Sequence, residues 1–357
     1  MLHITPYVGG RPIEEIQREF KIKDVIKLAS NENALGPSPK AVAALKKALG
    51  EIHRYPDGDC YYLRNKLAEK LKLKPENLVF GCGSDEIIVL AVRAFVNSGD
   101  EVVIAKPTFL IYEIASALAG AKITFVPLKG FRYDLRAMKS AITPKTKMVF
   151  IANPDNPTGT YVNKKEVAEF MRGLPENLLV YFDEAYYELV DKKDFPDSFE
   201  YLGKQPLIIA RTFSKAYGLS GLRIGYGIAE AKIIDYLNRA REPFNVNSLA
   251  QVAALAALDD QAHLKRTREL LKEAKGYLYK SFRQLGIDFI PSVTNFVVMN
   301  IGPRSATIYR ELLKKGVIVR DMSCWGLNQF LRVTMGTMRE NKKFIQALKE
   351  ALAKEKR

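Results

Sequence analysis

The sequence predicts an α/β fold in which a large domain carries a mostly parallel seven-stranded sheet and a smaller α+β domain follows. Three observations predict it. Between Leu78 and Ile228 short apolar runs alternate with helical stretches, the rhythm of a parallel sheet covered on both faces. Beyond residue 241 the pattern changes to a strongly helical stretch and then to strands mixed with helices. The 357 residues, 47% of them hydrophobic, are enough to bury cores of that size.

Residues 1–36 hold one helical stretch, Ile13 to Phe20, and end in the turn-rich NENALGP. They read as an arm that packs on the smaller domain or on a partner subunit. Ser38 precedes a helix from Pro39 to Leu49, with proline near the first turn, where it costs no hydrogen bond. The loop HRYPDGD leads to an amphipathic helix, Leu63 to Leu71. The strands are then LVFG, EVVIA, KITFVPL, MVFIA, LLVYF, LIIA and LRIGYGI, with helices near 84–96, 135–142 and 164–174. A helix from Lys232 to Arg241 leads away, which sets the large domain at 37–241 and the smaller one at 242–357. The latter begins with helical residues 248–285 and continues through FVVMNI, VIVRD and FLRVTM, with helices at 305–315 and 340–354.

Fifty-five lysines and arginines against 40 acids give a net charge of +15. No helix-turn-helix, zinc-finger or aromatic RNA-binding signature accompanies that charge, so it reads as a basic surface around anionic ligands and not as a nucleic-acid partner. A DNA-contacting regulator would need an added domain for which the chain has no room. The three cysteines, Cys60, Cys82 and Cys324, are far apart, which indicates neither a disulfide framework nor a metal site and suits a reducing cytoplasm. No apolar run reaches membrane-spanning length, and the N-terminus lacks the pattern of a signal peptide.

Ligands of open α/β sheets bind outside the carboxyl ends of the strands, so the residues there carry the chemistry. After LVFG, Gly81-Cys82-Gly83-Ser84-Asp85 opens a helix, either as a tight turn or as a phosphate cradle of backbone N–H groups. In the second case the side chains of Asp85 and Glu86 must point away. After MVFIA, NPDNPTG is a rigid turn or places an amide, with Asn156 the candidate, on a ligand hydroxyl. After LLVYF, a carboxylate ending a buried strand must be paired, in a structural salt bridge or with a ligand cation. Lys215, within RTFSKAYGLSGLRIGYG, is a covalent catalyst if its surroundings keep the amine unprotonated.

The order GCGSDE, PTF, NPDNPTG, DEAY, SKAYGLSGLRIGY and FLRVTMG resembles the fold-type I pyridoxal phosphate enzymes, specifically the class I/II aminotransferases. PYVGGRPIEEI, IKLASNENALGPSP, RYPDGDCYYLRNKLA and PFNVNSLAQ resemble the branch that acts on histidinol phosphate, and the likeness covers nearly the whole chain. The resemblance implies pyridoxal 5'-phosphate held covalently by Lys215, which then moves the substrate proton. Asp183 would pair with the pyridine nitrogen, Asn156 and Tyr186 would bond the phenolic oxygen, and Phe109 would stack on the ring. The cofactor phosphate would take the amides of Ser84 and Asp85, the hydroxyls of Thr212 and Ser214, and Arg223. Tyr55 would reach the neighbouring subunit's site, which implies a homodimer.

Arg332 matches the arginine that receives the substrate carboxylate, and its fork suits an oxyanion pair. Arg320 would add a second positive charge for a phosphate, unless it forms a surface salt bridge. Tyr7 and Asn33 are further candidates from the arm. The expected substrates are histidinol phosphate and 2-oxoglutarate or glutamate. Aromatic amino acid transamination and threonine-phosphate decarboxylation are the alternatives on the same fold. CWGLNQ, at 324–329, departs from the tyrosine-containing version associated with this branch.

Overall fold

The computed structural model describes Ile4 and residues 9–354. The arm holds α1 (Ile13–Phe20) and β1 (Ile26–Lys27), and α2 (Pro39–Ala48) and α3 (Tyr61–Leu71) follow. Ser38 caps α2 by accepting from the Ala41 amide, and Pro39 occupies the first turn.

The main alternation runs β2 (Leu78–Gly81), α4 (Ser84–Phe95), β3 (Glu101–Lys106), α5 (Leu110–Leu118), β4 (Lys122–Pro127) and α6 (Leu135–Ser140). It continues through β5 (Thr146–Ala152), α7 (Lys164–Met171), β6 (Leu179–Asp183), β7 (Leu207–Thr212) and β8 (Gly225–Ile228). These seven strands form one sheet in the order β2-β8-β7-β6-β5-β3-β4. Neighbours are parallel except β8, which runs antiparallel to both β2 and β7. β6 and β7 are buried along their whole length, which is why they read as uninterrupted apolar runs. Helix α5 has no counterpart in the sequence reading. Two isoleucines and a tyrosine in LIYEIASAL weaken its helical signal, and burial of Tyr112 and Ala115 against the sheet outweighs that propensity.

After α8 (Ala231–Ala240) come α9 (Ser248–Leu258), α10 (Gln261–Gln284), β9 (Phe289–Ile290), β10 (Phe296–Asn300) and α11 (Ser305–Lys314). The chain ends with β11 (Val317–Ile318), β12 (Arg320–Asp321), β13 (Phe330–Thr334) and α12 (Met338–Lys354). The expected break after residue 241 falls between α8 and α9, and the alanine-rich α9 lies back against α2 and α3. A second, antiparallel sheet has the order β12-β13-β10-β9. The arm joins this part of the molecule: β1 pairs with β11, and Ile16 and Ala29 bury against Leu313 and Ile318.

The strand ends that matter for function are in register. Ala152 of β5 pairs with Asp183 of β6, and Asp183 pairs with Ala210 of β7. Their carboxyl ends therefore open onto one place.

Candidate active site

A cavity of about 270 Å³ lies there, closed on its other side by Arg320 of β12 and Arg332 of β13. Ser84, Asp85, Phe109, Asn156, Asp183 and Tyr186 line it. So do Thr212, Ser214, Lys215 and Arg223.

Lys215 stands just past the end of β7, with Nζ 5.8 Å from the centre of the Tyr186 ring. Burial, reinforced by the positive charge of Arg332, brings its amine down to about 8. An amine in that range is roughly one-tenth unprotonated at neutral pH, far more than an ordinary lysine amine.

The two acids that end β6 divide the two fates open to them. Glu184 forms the structural pair: its Oε2 lies 2.7 Å from Arg211 Nη2, and both side chains are buried. Ser198 also donates to Glu184, and the Arg211 guanidinium stacks 3.5 Å from the Tyr187 ring centre. Asp183 faces the cavity. Its Oδ2 accepts from the Tyr112 hydroxyl at 2.6 Å and its Oδ1 from the Ala185 amide at 3.1 Å. Burial nevertheless pushes the carboxyl up to about 6. A bound cation would reverse that shift.

At the other end of the cavity α4 begins with Gly83 at φ 79°, and no side chain caps its amides. Arg223, itself left-handed at φ 57°, lies against this turn, and a Cβ on Gly83 would come within 2.3 Å of its Nη2. Gly225 on β8 allows an equally close approach, since a Cβ there would lie 2.4 Å from the Ser84 amide nitrogen. The Thr212 hydroxyl accepts from the Ser214 amide at 3.1 Å. One expectation is corrected here. The Asp85 carboxylate does not turn away but lies 3.2 Å from Arg223 Nη2, because the arginine folds over the start of α4. Glu86 does turn aside, accepting from Asn245 at 2.7 Å.

The loop after β5 is held from within. Asp155 accepts from Thr108 Oγ1 at 2.9 Å and from Thr158 Oγ1 at 2.8 Å, and Asn153 exchanges hydrogen bonds with Val162. The Asn153-Pro154 bond in this loop is cis. Asn156 lines the cavity, where its Oδ1 accepts from Arg332 Nη1 at 2.5 Å. Arg332 also donates to the Ala29 carbonyl and stands 4.9 Å from the Phe296 ring centre.

Of the remaining expected residues, Asn33 and Tyr55 stand outside this cavity. Asn33 does not line the cavity; its amide is spent on the Ala216 carbonyl, at 2.9 Å, and on Thr267, at 3.0 Å. Tyr55 is 84% exposed and stacks on Phe244 with ring centres 4.9 Å apart. Tyr7 lies outside the described residues. The structure adds Asn31, Glu32 and Tyr112 to the cavity lining. Asn31, from the same NEN run as Asn33, donates to the Tyr186 hydroxyl at 2.9 Å. Only the SNEN turn signalled that neighbourhood, and Tyr112 was hidden with its helix. Among the described residues no group of three or more metal-ligating side chains converges, and no helix is long and apolar enough to cross a membrane.

The donor set fits pyridoxal phosphate: an amine partly freed of its proton, a buried carboxylate suited to a cation, and an uncapped helix start beside an arginine. Residues 23–348 match the family model Aminotransferase class I and II. The histidinol-phosphate aminotransferase of Moorella thermoacetica is 53% identical over 355 residues, covering 99% of this chain and 92% of its own. That of Caldicellulosiruptor saccharolyticus is 44% identical over 350 residues, 98% of each chain. The crystal structure of histidinol-phosphate aminotransferase from Sinorhizobium meliloti, in complex with pyridoxal-5'-phosphate, matches with a TM-score of 0.90. It is 29% identical, and the match covers 99% of this chain and 96% of that one.

Proposed function

The chain belongs to the class I and II aminotransferases, and on that premise we propose that it transaminates L-histidinol phosphate with 2-oxoglutarate. The products are imidazole acetol phosphate and glutamate, which places the reaction in histidine biosynthesis. The observation that carries the substrate is the arginine pair. Arg320 and Arg332 are direct cross-strand partners at the wall of the cavity that holds Lys215. Two guanidinium groups suit the phosphate ester of histidinol phosphate, and the fork of Arg332 suits the α-carboxylate of glutamate.

When bound, pyridoxal phosphate supplies an electron sink for the electrons of the substrate's Cα–H bond. Lys215 would hold it covalently, and the amine, once released by the substrate amine, moves the Cα proton. Asp183 would face the pyridine nitrogen, whose positive charge draws the carboxyl back below about 6. Asn156 and Tyr186 would hold the phenolic oxygen, and Phe109 would cover the ring. The amides of Ser84 and Asp85, with Thr212, Ser214 and Arg223, would take the phosphate. Asp85, beside Arg223, would orient that guanidinium.

The homodimer belongs to the same proposal. Tyr55 is accompanied on the surface by Ile52, Tyr61, Tyr62 and Phe244, all exposed, and an apolar group of this kind suits a subunit contact. Tyr55 would cross that contact to the neighbouring site.

The test is to add histidinol phosphate, phenylalanine and threonine phosphate separately to the cofactor-loaded enzyme, without any oxo-acid, and follow the visible spectrum. Prompt bleaching with histidinol phosphate alone is expected. Equal bleaching with phenylalanine would assign an aromatic transaminase instead, and carbon dioxide release from threonine phosphate would assign the decarboxylase.

A further inference from the structure

The loop at 324–329 carries the only tryptophan of the chain, and none of the roles assigned above uses it. Trp325 lies between β12 and β13, the strands that carry the two arginines, and is 7% exposed. Its indole Nε1 donates to the Thr108 carbonyl at 2.8 Å, which ties the loop to the segment that presents Phe109. The Arg320 and Arg332 guanidinium carbons lie 5.2 and 5.3 Å from the indole ring centre.

Two arginines directly opposite each other in an antiparallel ladder repel. That repulsion works to splay them into two separate charges. An indole within cation–π reach of both attracts each guanidinium toward the same ring and opposes the splaying. Its Thr108 bond keeps the ring from following either arginine. A monoanionic carboxylate is served by one fork, and Arg332 has Asn156 and the Ala29 carbonyl to hold it in place. A phosphate dianion gains its second partner only when Arg320 converges with Arg332.

We propose that Trp325 is a positioning residue that keeps Arg320 and Arg332 converged on one anion, and so sets the preference of this site for phosphate over carboxylate. The identity of the phosphate-bearing substrate rests on the function proposed above; the convergence of the arginines does not.

The experiment compares Trp325→Leu, which removes the ring, with Trp325→Phe, which keeps an aromatic face but loses the Thr108 bond, both as cofactor-loaded enzyme. For Trp325→Leu, KM for histidinol phosphate and the inhibition constant of inorganic phosphate should both rise about tenfold, while KM for glutamate rises less than about threefold. The kcat with glutamate should be unchanged, and Trp325→Phe, with a ring but no Thr108 bond, should recover part of the loss. Equal rises for the two substrates, or a phenylalanine variant as impaired as the leucine variant, would overturn the proposal. A measurement on the unaltered enzyme guards against a variant that fails to fold. Trp325 is its own reporter, so inorganic phosphate should change the tryptophan emission saturably, with a midpoint equal to its inhibition constant, and chloride at equal ionic strength should not. Emission that stays constant while phosphate inhibits would overturn the proposal. If histidinol phosphate proves not to be a substrate but phosphate still shifts the emission, the proposed function fails and the role of Trp325 stands.

Discussion

The floor of the cavity, at the ends of β5, β6 and β7, takes its residues from strand termini locked in register, whereas the rim takes them from three segments far apart in the chain. On the floor, each functional residue is a step or two from an apolar strand whose position the sheet dictates. On the rim, Asn31, Asn156 and the two arginines depend on contacts between the arm, the loop after β5 and the second sheet, with Trp325 behind the arginines tied to the Thr108 carbonyl. The floor should therefore govern the chemistry common to both substrates, and the rim should govern which substrate is accepted.

Substitution of Lys215 breaks the floor most severely. Lys215→Ala should lower turnover by about 10⁴-fold or more with either substrate, since one amine serves both as covalent anchor and as proton carrier. Its cofactor should dialyse away instead of remaining linked. Stopped-flow turnover and the absorbance retained after dialysis check both points, and full turnover by this variant would end the assignment. On the rim, Arg332→Ala should cost about 10²-fold in kcat/KM, the usual effect of removing one partner from a buried charge-assisted contact. The loss should fall more heavily on KM for glutamate, whose carboxylate has this fork alone, than on KM for histidinol phosphate, which keeps Arg320.

The difference between floor and rim also governs what the sequence discloses. Asp183, Thr212, Ser214 and Lys215 are legible because an apolar run announces each strand and the polar residue after it has a predictable place. The resemblance then supplies their roles. Asn33 shows the limit of this reading. It and Asn31 stand in one irregular turn, with no period to say which side chain faces inward, and packing against Tyr186 and Thr334 selects Asn31. Tyr112 escaped for a different reason: its helix is apolar and rich in residues that also suit strands, so local propensity misstates the element that burial enforces. The orientation of Asp85 follows from the approach of Arg223 across the sheet, which no local pattern encodes.

Gly225→Ala sharpens the comparison at the phosphate end of the floor. The added Cβ would meet the Ser84 amide nitrogen at 2.4 Å and the Gly83 carbonyl carbon at 2.7 Å, both of them backbone atoms that cannot swing away. The start of α4 must shift, at a cost typical of overpacking, and cofactor affinity should fall about tenfold. Titration of the apo protein with pyridoxal phosphate measures this. Unchanged affinity would mean that the turn at Gly83 and Ser84 does not hold the phosphate. The KM ratio of the two substrates should stay constant, as expected of a floor position.

The smallest effect should come from Tyr112→Phe, which leaves the packing of the floor intact and removes one hydrogen bond. The Tyr112 hydroxyl donates to Asp183 Oδ2 and holds that carboxyl down against the effect of burial. Without it the carboxyl rises above about 6. A cationic ring favours the ionised acid, so cofactor affinity should weaken as pH falls through the Asp183 pKa, and in the variant that weakening should begin at higher pH. At neutral pH the loss should be about fivefold, in keeping with about 1 kcal/mol, the net worth of an ordinary hydrogen bond. It should shrink at alkaline pH, where the carboxyl is ionised in both proteins. A pH-independent loss would mean that Tyr112 acts through packing alone, and that Asp183 does not answer to charge in the way the floor requires.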